Sequence, residues 1–459
     1  MKLKKSDYII IISFIASFIA AFISAAPAVA LPQLANEFNL NNIMQNWVVN
    51  IFLFTVAITA VPLGKFSGKN GIKKTLNLGL ILFLIGTIIT TFANSYITLL
   101  IFRAIQAIGT AMIYNTQTSI VVLAVEEKNR GKALGIIISG VYIGLAIAPF
   151  ISGILTYNFG WRTIFYFTIP FTLLALFLSL YKVKDEWNMY EDESYDKFGS
   201  ILYMIGIFFF IYGFTILNQT KGVIFTVIGI VLLIGFAVID LKIKNPIFDL
   251  KLFKNKRFSS SNIASLISYI ATFVVTYILN YHFQYILSLN SQTTGILLVV
   301  TPVIMAIISP FSGKFSDKID SQKLAAIGMG FVTIAVFILI FLDYSTPLWV
   351  IIIAMALQGL GYGIFSSPNT NMIMSSVPQE ETPSASVSIT VMRVIGQTMS
   401  LAMLTIIFSV IMGNVPIIPE YFSLLTKSSQ TACIISTLLC FIAVIASLVG
   451  IGGKNDLTN

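Results

Sequence analysis

The stretch Gly140–Gly153, GVYIGLAIAPFISG, decides the fold of this chain. Small residues recur in it at every fourth position, namely Gly140, Gly144, Ala148 and Ser152. That spacing places them on one face of a helix, where a neighbouring backbone can approach very closely inside a membrane. Pro149 removes a backbone donor and bends the helix at a point where a packed neighbour can compensate. The pattern therefore predicts a tight contact between two spanning helices.

The composition indicates a protein that crosses a membrane many times. Of 459 residues, 57% are hydrophobic and 10% are charged, with a mean hydropathy of +0.90. A soluble domain carries about 25% charged residues. The net charge of +9 follows from the position of the lysines relative to the membrane, so it does not indicate nucleic-acid binding. We therefore expect no nucleic-acid partner. Because the sequence holds no metal-ligand cluster, we expect no metal, and we also expect no cofactor.

Fourteen segments are apolar over the length needed to span a bilayer, which is about 20 residues. They lie near 8–30, 46–64, 76–94, 97–125, 132–156, 163–181, 198–217, 222–241, 259–287, 293–313, 324–342, 347–376, 384–412 and 430–451. The first segment imitates a signal peptide, but its apolar run is too long, so we interpret it as a spanning helix.

The distribution of basic residues predicts the orientation. If the N-terminus lies inside, 23 of the 28 Lys and Arg residues fall in inner loops, three in outer loops and two within spanning segments. Loops rich in Lys and Arg stay on the cytoplasmic side. We therefore expect a multi-pass protein of the cell membrane with both termini in the cytoplasm.

An internal repeat relates the two ends of the chain. The sequence GKFSGKNGIKK begins at Gly64, and GKFSDKIDSQK begins 249 residues later at Gly313. At an offset of 252, Gln106–Gly109 matches Gln358–Gly361. The second spanning segment thus corresponds to the tenth, and the fourth corresponds to the twelfth.

This correspondence predicts an all-α fold of two six-helix halves in parallel repeat, a known plan among transporters. Two further spanning helices are inserted between the halves. The predicted divisions are an N-terminal half at 1–181, a linker with the two extra helices at 182–258, and a C-terminal half at 259–459.

Several motifs follow one another along nearly the whole chain. They are Gly64–Lys74, Arg103-Ala-Ile-Gln106-Ala-Ile-Gly109, Trp161-Arg162-x-x-Phe165, Asn245–Asn255, Gly313–Lys323 and Gly359-x-Gly361-x-Gly363. In this order they resemble the fourteen-helix drug:proton antiporter branch of the Major Facilitator Superfamily. The resemblance implies export of hydrophobic or amphipathic small molecules by alternating access, driven by proton antiport. It also identifies an antiporter motif, the seam made by Gly140, Gly144, Ala148, Pro149 and Gly153.

The chain departs from this family pattern in its acidic residues. Ile23 stands where the first helix commonly carries an Asp, and Gly68 stands where the first loop motif carries one. None of the 19 acidic residues lies near the middle of a predicted span. The sequence therefore favours an uncharged or amphipathic substrate over a cationic one, and it leaves Na+ open as an alternative to protons.

Three residues are candidates for proton coupling or gating. Arg103 lies about six residues inside the fourth segment, where an isolated charge is costly, and we expect Gln106 one turn on to contact it. His282 has an unperturbed pKa of about 6.5 and so titrates near neutral pH. The alternatives are a structural arginine and an interfacial histidine.

Polar side chains on three predicted helices are candidates for the substrate cavity. The ninth segment carries a stripe at i, i+3, i+4 spacing, which must face protein or water rather than lipid. The candidates are Tyr277, Asn280, Tyr281 and Gln284 from this stripe, with Asn115, Gln358 and Asn369 from the fourth and twelfth segments. Hydrogen bonding between helices is the alternative role.

The repeated loop motif predicts a cytoplasmic latch. Its members are Gly64, Lys65, Gly313, Lys314 and Asp317. Asp317 could cap a helix or pair with an arginine, or it could be an ordinary turn residue.

The sequence leaves two other functions open: a dedicated exporter of one metabolite, peptide or lipid, and a non-transporting receptor or scaffold. It contains neither a nucleophile beside a base nor a nucleotide-binding loop, so an enzyme and an ATP-driven pump are not expected. We expect a monomer whose partners are the lipid bilayer, its small-molecule substrate and the coupling ion.

Overall fold

The computed structural model describes residues 5–188, 194–244, 246–316, 319–378 and 382–449, and this part of the chain consists of helices joined by turns and loops, without strands. It contains sixteen α-helices. They are α1 Lys5–Ala25, α2 Pro27–Phe38, α3 Asn42–Asn70, α4 Ile72–Thr91, α5 Tyr96–Ala124, α6 Glu127–Phe159, α7 Thr163–Lys182, α8 Lys197–Thr215, α9 Thr220–Asp240, α10 Lys256–Tyr281, α11 Ser291–Leu298, α12 Val300–Ser316, α13 Ser321–Leu339, α14 Leu348–Ser375, α15 Thr382–Ile411 and α16 Phe422–Val449. One turn of π-helix, His282–Ile286, continues α10.

Fourteen stretches of helix in the described residues are long and apolar enough to cross a membrane. Each overlaps one of the fourteen predicted segments, so the predicted fold class is confirmed. Two predicted segments are interrupted. The first is divided at Ala26 between α1 and α2, and the tenth is divided at Val299 between α11 and α12.

Prolines account for both interruptions. Pro27 is the first residue of α2, a position where the missing N–H is not needed. Pro302 is the third residue of α12 and cannot donate to the carbonyl of Leu298 in α11. A hydropathy pattern does not register either break because the flanking residues remain apolar.

The repeated basic motif is helical, which corrects the prediction that Gly64 and Lys65 lie in a loop. Both residues belong to α3, which ends at Asn70. The chain turns at Gly71, whose φ of +106° is a conformation that favours glycine. The Glu186 carboxylate then accepts hydrogen bonds from the backbone N–H groups of Lys73, at 2.8 Å, and Lys74, at 3.1 Å. A carboxylate from outside the motif therefore caps the start of α4.

The chain forms two compact units. Unit 1 comprises Met1–Leu40, Trp47–Phe210 and Ile228–Phe248, and unit 2 comprises Asn41–Asn46, Ile211–Val227 and Asp249–Asn459.

In each unit, one of the very close helix pairs built on glycine lies at positions that the sequence repeat relates. In unit 1, a Cβ added to Gly109 of α5 would lie 2.6 Å from the carbonyl oxygen of Gly79 in α4. In unit 2, a Cβ added to Gly361 of α14 would lie 2.6 Å from the carbonyl oxygen of Gly328 in α13. Side chains do not fit at such distances, so the same packing rule operates within each unit.

A polar network joins α2 to the start of α7 in unit 1. Glu37 accepts hydrogen bonds from the indole Nε1 of Trp161, at 2.7 Å, and from both terminal nitrogens of Arg162, at 3.1 and 2.7 Å. Arg162 also donates to the carbonyls of Thr91 and Ala93. The Trp-Arg motif therefore anchors the entry of α7 to two other helix ends.

This network predicts a pH-dependent stability. The hydrogen bonds from Arg162 hold the pKa of the Glu37 carboxyl below its ordinary value of 4.5, although partial burial acts in the opposite direction. A carboxyl with a lowered folded-state pKa stabilises the protein fully above its unfolded pKa, and that contribution is lost as the pH falls through the folded-state value. We expect Glu37→Gln to melt at a lower temperature than wild type at pH 7.

Thermal unfolding of wild type and Glu37→Gln from pH 7 to pH 3 checks this prediction. The gap between the two melting temperatures should shrink below about pH 4.5, where Glu37 begins to gain a proton in the unfolded chain. A gap that stays constant down to pH 3 would contradict the assignment.

Candidate functional site

The seam residues of α6 pack directly against α1. A Cβ added to Gly144 would lie 2.6 Å from the carbonyl oxygen of Phe18, and one added to Gly140 would lie 2.9 Å from that of Phe14. Ala148, Pro149 and Gly153 are buried on the same helix. At Gly140 and Gly144, one helical turn apart, the small residues therefore let the α1 backbone approach α6 closely.

Arg103 is fully buried in α5, with 0% of its surface exposed. Its Nη1 donates to the Gln106 side-chain oxygen at 2.7 Å, and the Gln106 amide donates to the Thr87 hydroxyl of α4 at 2.8 Å. The guanidinium carbon lies 4.4 Å from the centre of the Phe52 ring and 5.8 Å from that of Phe165. The expected partner Gln106 is thus in contact, and two aromatic faces shield the charge.

The predicted stripe of the ninth segment lies at the end of α10 and in the π-helical turn. Tyr277, Asn280 and Tyr281 are buried, and Gln284 is half-buried. The Gln284 amide donates to the Asn280 side-chain oxygen at 2.8 Å. His282 is buried in the same turn and accepts at its carbonyl from the N–H of Leu287, five residues on. Such π-turns occur frequently at functional sites.

The remaining cavity candidates lie on α5 and α14. Asn115 donates to the carbonyl of Ala60 in α3 at 2.7 Å. Asn369 donates to the Ser261 carbonyl at 3.1 Å and to the Ser265 hydroxyl at 2.8 Å, both on α10. Gln358 is buried on α14. Asn115 and Asn369 therefore bond neighbouring helices within one unit, which is the alternative role considered for such amides.

The predicted latch residues are partly described. Gly64 of α3 faces Asn115 of α5, and Gly313 of α12 faces Ser367 of α14, with added Cβ atoms 3.7 and 3.0 Å from those side chains. Lys65 is mostly buried, with 9% of its surface exposed. Lys314 belongs to α12, but its side chain lies outside the described set, and Asp317 lies outside the described residues altogether.

The sequence analysis missed a row of carboxamides at the start of α3. Its members, which we call the carboxamide row, are Asn42, Gln45, Asn46 and Asn50, all at most 1% exposed. The Tyr281 hydroxyl donates to the Asn46 side-chain oxygen at 2.8 Å, and the Tyr285 hydroxyl donates to that of Gln45 at 3.1 Å. Their spacing of three and four residues was the signal that could have revealed them.

Acidic residues occur only at the ends of the spanning helices that the structure describes. They are Asp7, Asp240 and Glu420. The buried polar surface along the middle of these helices consists of amides, hydroxyls and Arg103. Such a surface offers hydrogen bonds to an uncharged molecule and no carboxylate to a cation.

Comparison with known proteins identifies relatives over most of the chain. The sequence profile of the Major Facilitator Superfamily matches residues 13–401. The riboflavin transporter RibZ of Clostridioides difficile is 31% identical over 360 residues, which cover 77% of each protein. The multidrug resistance protein Stp of Mycobacterium tuberculosis is 25% identical over 82% of this chain and 71% of its own.

A solved structure shares the fold. A bacterial homologue of the human lysosomal transporter Spinster, crystallised in an inward-facing and occupied conformation, aligns with a TM-score of 0.71 over 99% of this chain and 98% of its own, at 15% identity.

Proposed function

The chain belongs to the Major Facilitator Superfamily, and from that premise we propose that it is a secondary active transporter that exports uncharged hydrophobic or amphipathic small molecules. It works by alternating access in the cell membrane, with both termini in the cytoplasm. Membership of the family supports transport, and it does not support an enzymatic activity. Multidrug efflux is the form of export proposed first, and the relative named a multidrug resistance protein favours it.

One observation carries the proposal that the substrate is uncharged. The described spanning helices bury many amides and phenols, yet their acidic residues lie only at helix ends. A buried cation requires a paired charge to offset its desolvation. An uncharged amphipathic molecule requires only hydrogen bonds and apolar contact, which these side chains supply.

We further propose that the Arg103–Gln106 pair couples transport to the ion gradient. Its buried charge and its hydrogen bond to Gln106 support this role. A charge at such depth is costly, and charged residues retained there usually have a function. Protons are the proposed coupling ion, with His282 as a candidate carrier, and Na+ is the alternative. The seam residues Gly140–Gly153 would keep the inner side closed, and Gly64, Lys65, Gly313, Lys314 and Asp317 would form the latch.

A dedicated exporter of a single metabolite is the second candidate. The relative at 31% identity is named a riboflavin transporter, and this supports a single metabolite, with riboflavin the first to test. In either case we propose a monomer divided at 1–181, 182–258 and 259–459.

Growth inhibition in a pump-deficient host tests the proposal. Wild type and Arg103→Ala, at matched membrane levels, are compared over toxic cations, neutral lipophiles, acids and a toxic riboflavin analogue. We expect wild type to protect against several neutral lipophiles, and Arg103→Ala to protect against none.

The other results separate the alternatives. Protection against the riboflavin analogue alone would replace multidrug efflux by the dedicated exporter. Protection against cations at least as strong as that against neutral compounds would contradict the uncharged substrate. No protection against any compound would favour a receptor or scaffold.

A further inference from the structure

Arg393, like Arg103, is a basic residue within a spanning segment. It lies six residues inside the described span Val387–Ile411 of α15, a depth of about 9 Å at 1.5 Å per residue. Its side chain is half-buried, whereas that of Arg103 is fully buried. Charged side chains within spanning segments face the protein interior or a water-filled space rather than lipid. The exposed part of Arg393 therefore requires water.

The neighbours of Arg393 on α15 identify the helix that its face meets. Gly396 and Ser400 follow Arg393 at three and seven residues, so the three side chains share one face. A Cβ added to Gly396 would lie 2.7 Å from the Cβ of Tyr269 on α10. The Ser400 hydroxyl accepts from the backbone N–H of Val274, also on α10, at 2.9 Å. Arg393 therefore lies on the face of α15 that packs against α10, where an exposed charge indicates a water-filled space between helices of unit 2.

Two tyrosines of unit 2 lie beside this face. Tyr269, which meets Gly396, is half-buried, and its ring centre lies 5.9 Å from that of Tyr362 on α14. The Tyr362 hydroxyl accepts from the Thr272 hydroxyl at 3.3 Å and lies 3.4 Å from the Ser268 hydroxyl, so its ring is held in place from α10. Aromatic rings near a few polar groups are the usual lining of sites for planar organic ligands.

We propose that Arg393 sets the charge selectivity of transport: it binds an uncharged aromatic molecule through a carbonyl oxygen and repels cations. A guanidinium is always charged and presents several N–H donors in one plane. A carbonyl oxygen accepts from these donors, and the tyrosine rings contact the rest of the molecule. A cation of the same shape meets a like charge instead, which lowers its affinity. This inference rests on the proposed function, to which it adds a residue that rejects cations.

Binding of two fluorescent tricycles to the purified full-length protein in nanodiscs tests the inference. The probes are N-methylacridone, which is uncharged and carries a ring carbonyl, and N-methylacridinium, a permanent cation in which C–H replaces that carbonyl. Fluorescence anisotropy, corrected with empty nanodiscs, measures both affinities. We expect wild type to bind N-methylacridone about tenfold more tightly, because the cation loses a hydrogen bond and meets a like charge.

Variants of Arg393 separate selectivity from structure. Arg393→Gln removes the charge and keeps an N–H donor, so it should bind N-methylacridinium about tenfold more tightly than wild type does and N-methylacridone with nearly unchanged affinity. Arg393→Lys keeps the charge and should keep the preference for the uncharged probe. A merely structural role would weaken both probes in both variants. Arg393→Met should show the same gain for the cation if Arg393→Gln is not monodisperse.

The matched control removes a positive charge elsewhere in unit 2. Lys427, near the start of α16, is exposed, and Lys427→Gln should keep the wild-type preference. Equal binding of the two probes by wild type, or an unchanged preference in the uncharged Arg393 variants, would overturn the inference. Arg393 would then be a residue that extends its charge to the membrane surface.

Two further results separate this inference from the proposed function. If wild type binds neither probe but protects cells against other neutral compounds, the inference is wrong while the proposed export stands. If it binds N-methylacridone with the expected preference but protects against nothing, the site at Arg393 stands and export fails.

Discussion

Replacing Arg103 with alanine is expected to abolish transport while leaving the protein folded and inserted. Two effects of the substitution on the stability of the fold oppose each other. Loss of the guanidinium leaves the Gln106 oxygen without its donor at 2.7 Å, which costs about 1–3 kcal/mol. The variant also avoids burying a charge, which costs about 2.5–3.5 kcal/mol at the centre of a spanning helix on insertion scales. Because the terms are of similar size, we expect little net change in stability.

Transport should respond differently, because the repeat supplies no second charge at the corresponding position. The described parts of the spanning helices hold their acids at the ends, and the corresponding position of the second half is Met355, a buried apolar residue. Uptake or efflux in proteoliposomes, driven in turn by a proton and a Na+ gradient, measures the loss and identifies the ion. Size-exclusion profiles and melting temperatures verify the fold.

Two further variants define the role of the charge. Arg103→Lys keeps the charge but not the planar fork that contacts Gln106 and stacks on Phe52. Partial transport by this variant would show that the positive charge itself is required. Gln106→Leu removes the hydrogen bond and keeps the arginine. Full gradient-driven transport by correctly inserted Arg103→Ala would show that Arg103 is only a structural residue.

Much of this site could be predicted because its signals are local in the sequence. The seam spacing, Arg103 and its partner Gln106 all lie on single helices, where a period of three or four residues determines which side chains share a face. The number of spanning helices followed equally from apolar length. These features depend on no contact between distant parts of the chain.

The spacing of the carboxamide row is also local, but the partners that bury it are not. The apolar criterion places the start of the second segment at residue 46, so Asn42 and Gln45 lie outside the predicted span. Their partners are also far away in sequence: Tyr281 lies 235 residues from Asn46. The π-turn that continues α10 likewise has no recognisable sequence signal, because its residues are those of an ordinary helix.

The same distinction applies to the start of α4. The missing Asp at Gly68 suggested that the basic motif lacks a carboxylate. The structure provides one from Glu186, more than 100 residues along the chain, at the backbone of Lys73 and Lys74. A carboxylate next to the motif can therefore come from a residue that no local motif contains.

Replacing Gly144 with alanine is expected to reduce transport about tenfold. The added Cβ would lie 2.6 Å from the carbonyl oxygen of Phe18 and 3.1 Å from the Cβ of Ala21. Because the first contact is with backbone, no side-chain rotation relieves it, and α1 must move away from α6. Overpacking of this kind costs about 1–3 kcal/mol. Where the cost falls on a conformation that the transport cycle requires, about 1.4 kcal/mol lowers the population of that conformation tenfold. The melting temperature should fall as well.

The control is the identical substitution at Gly330, on α13, where an added Cβ meets nothing within 4 Å. Alanine is favoured over glycine inside a helix by about 1 kcal/mol, so Gly330→Ala should melt at or slightly above the wild-type temperature and transport normally. Gly144→Ala gains the same helix propensity, so the difference between the two variants isolates the contact with α1. If both variants behave alike, the α1–α6 contact is not as close as the structure gives it. If Gly144→Ala alone loses transport and stability, the small residues of the seam are required for their size, because the substitution adds only one methyl group.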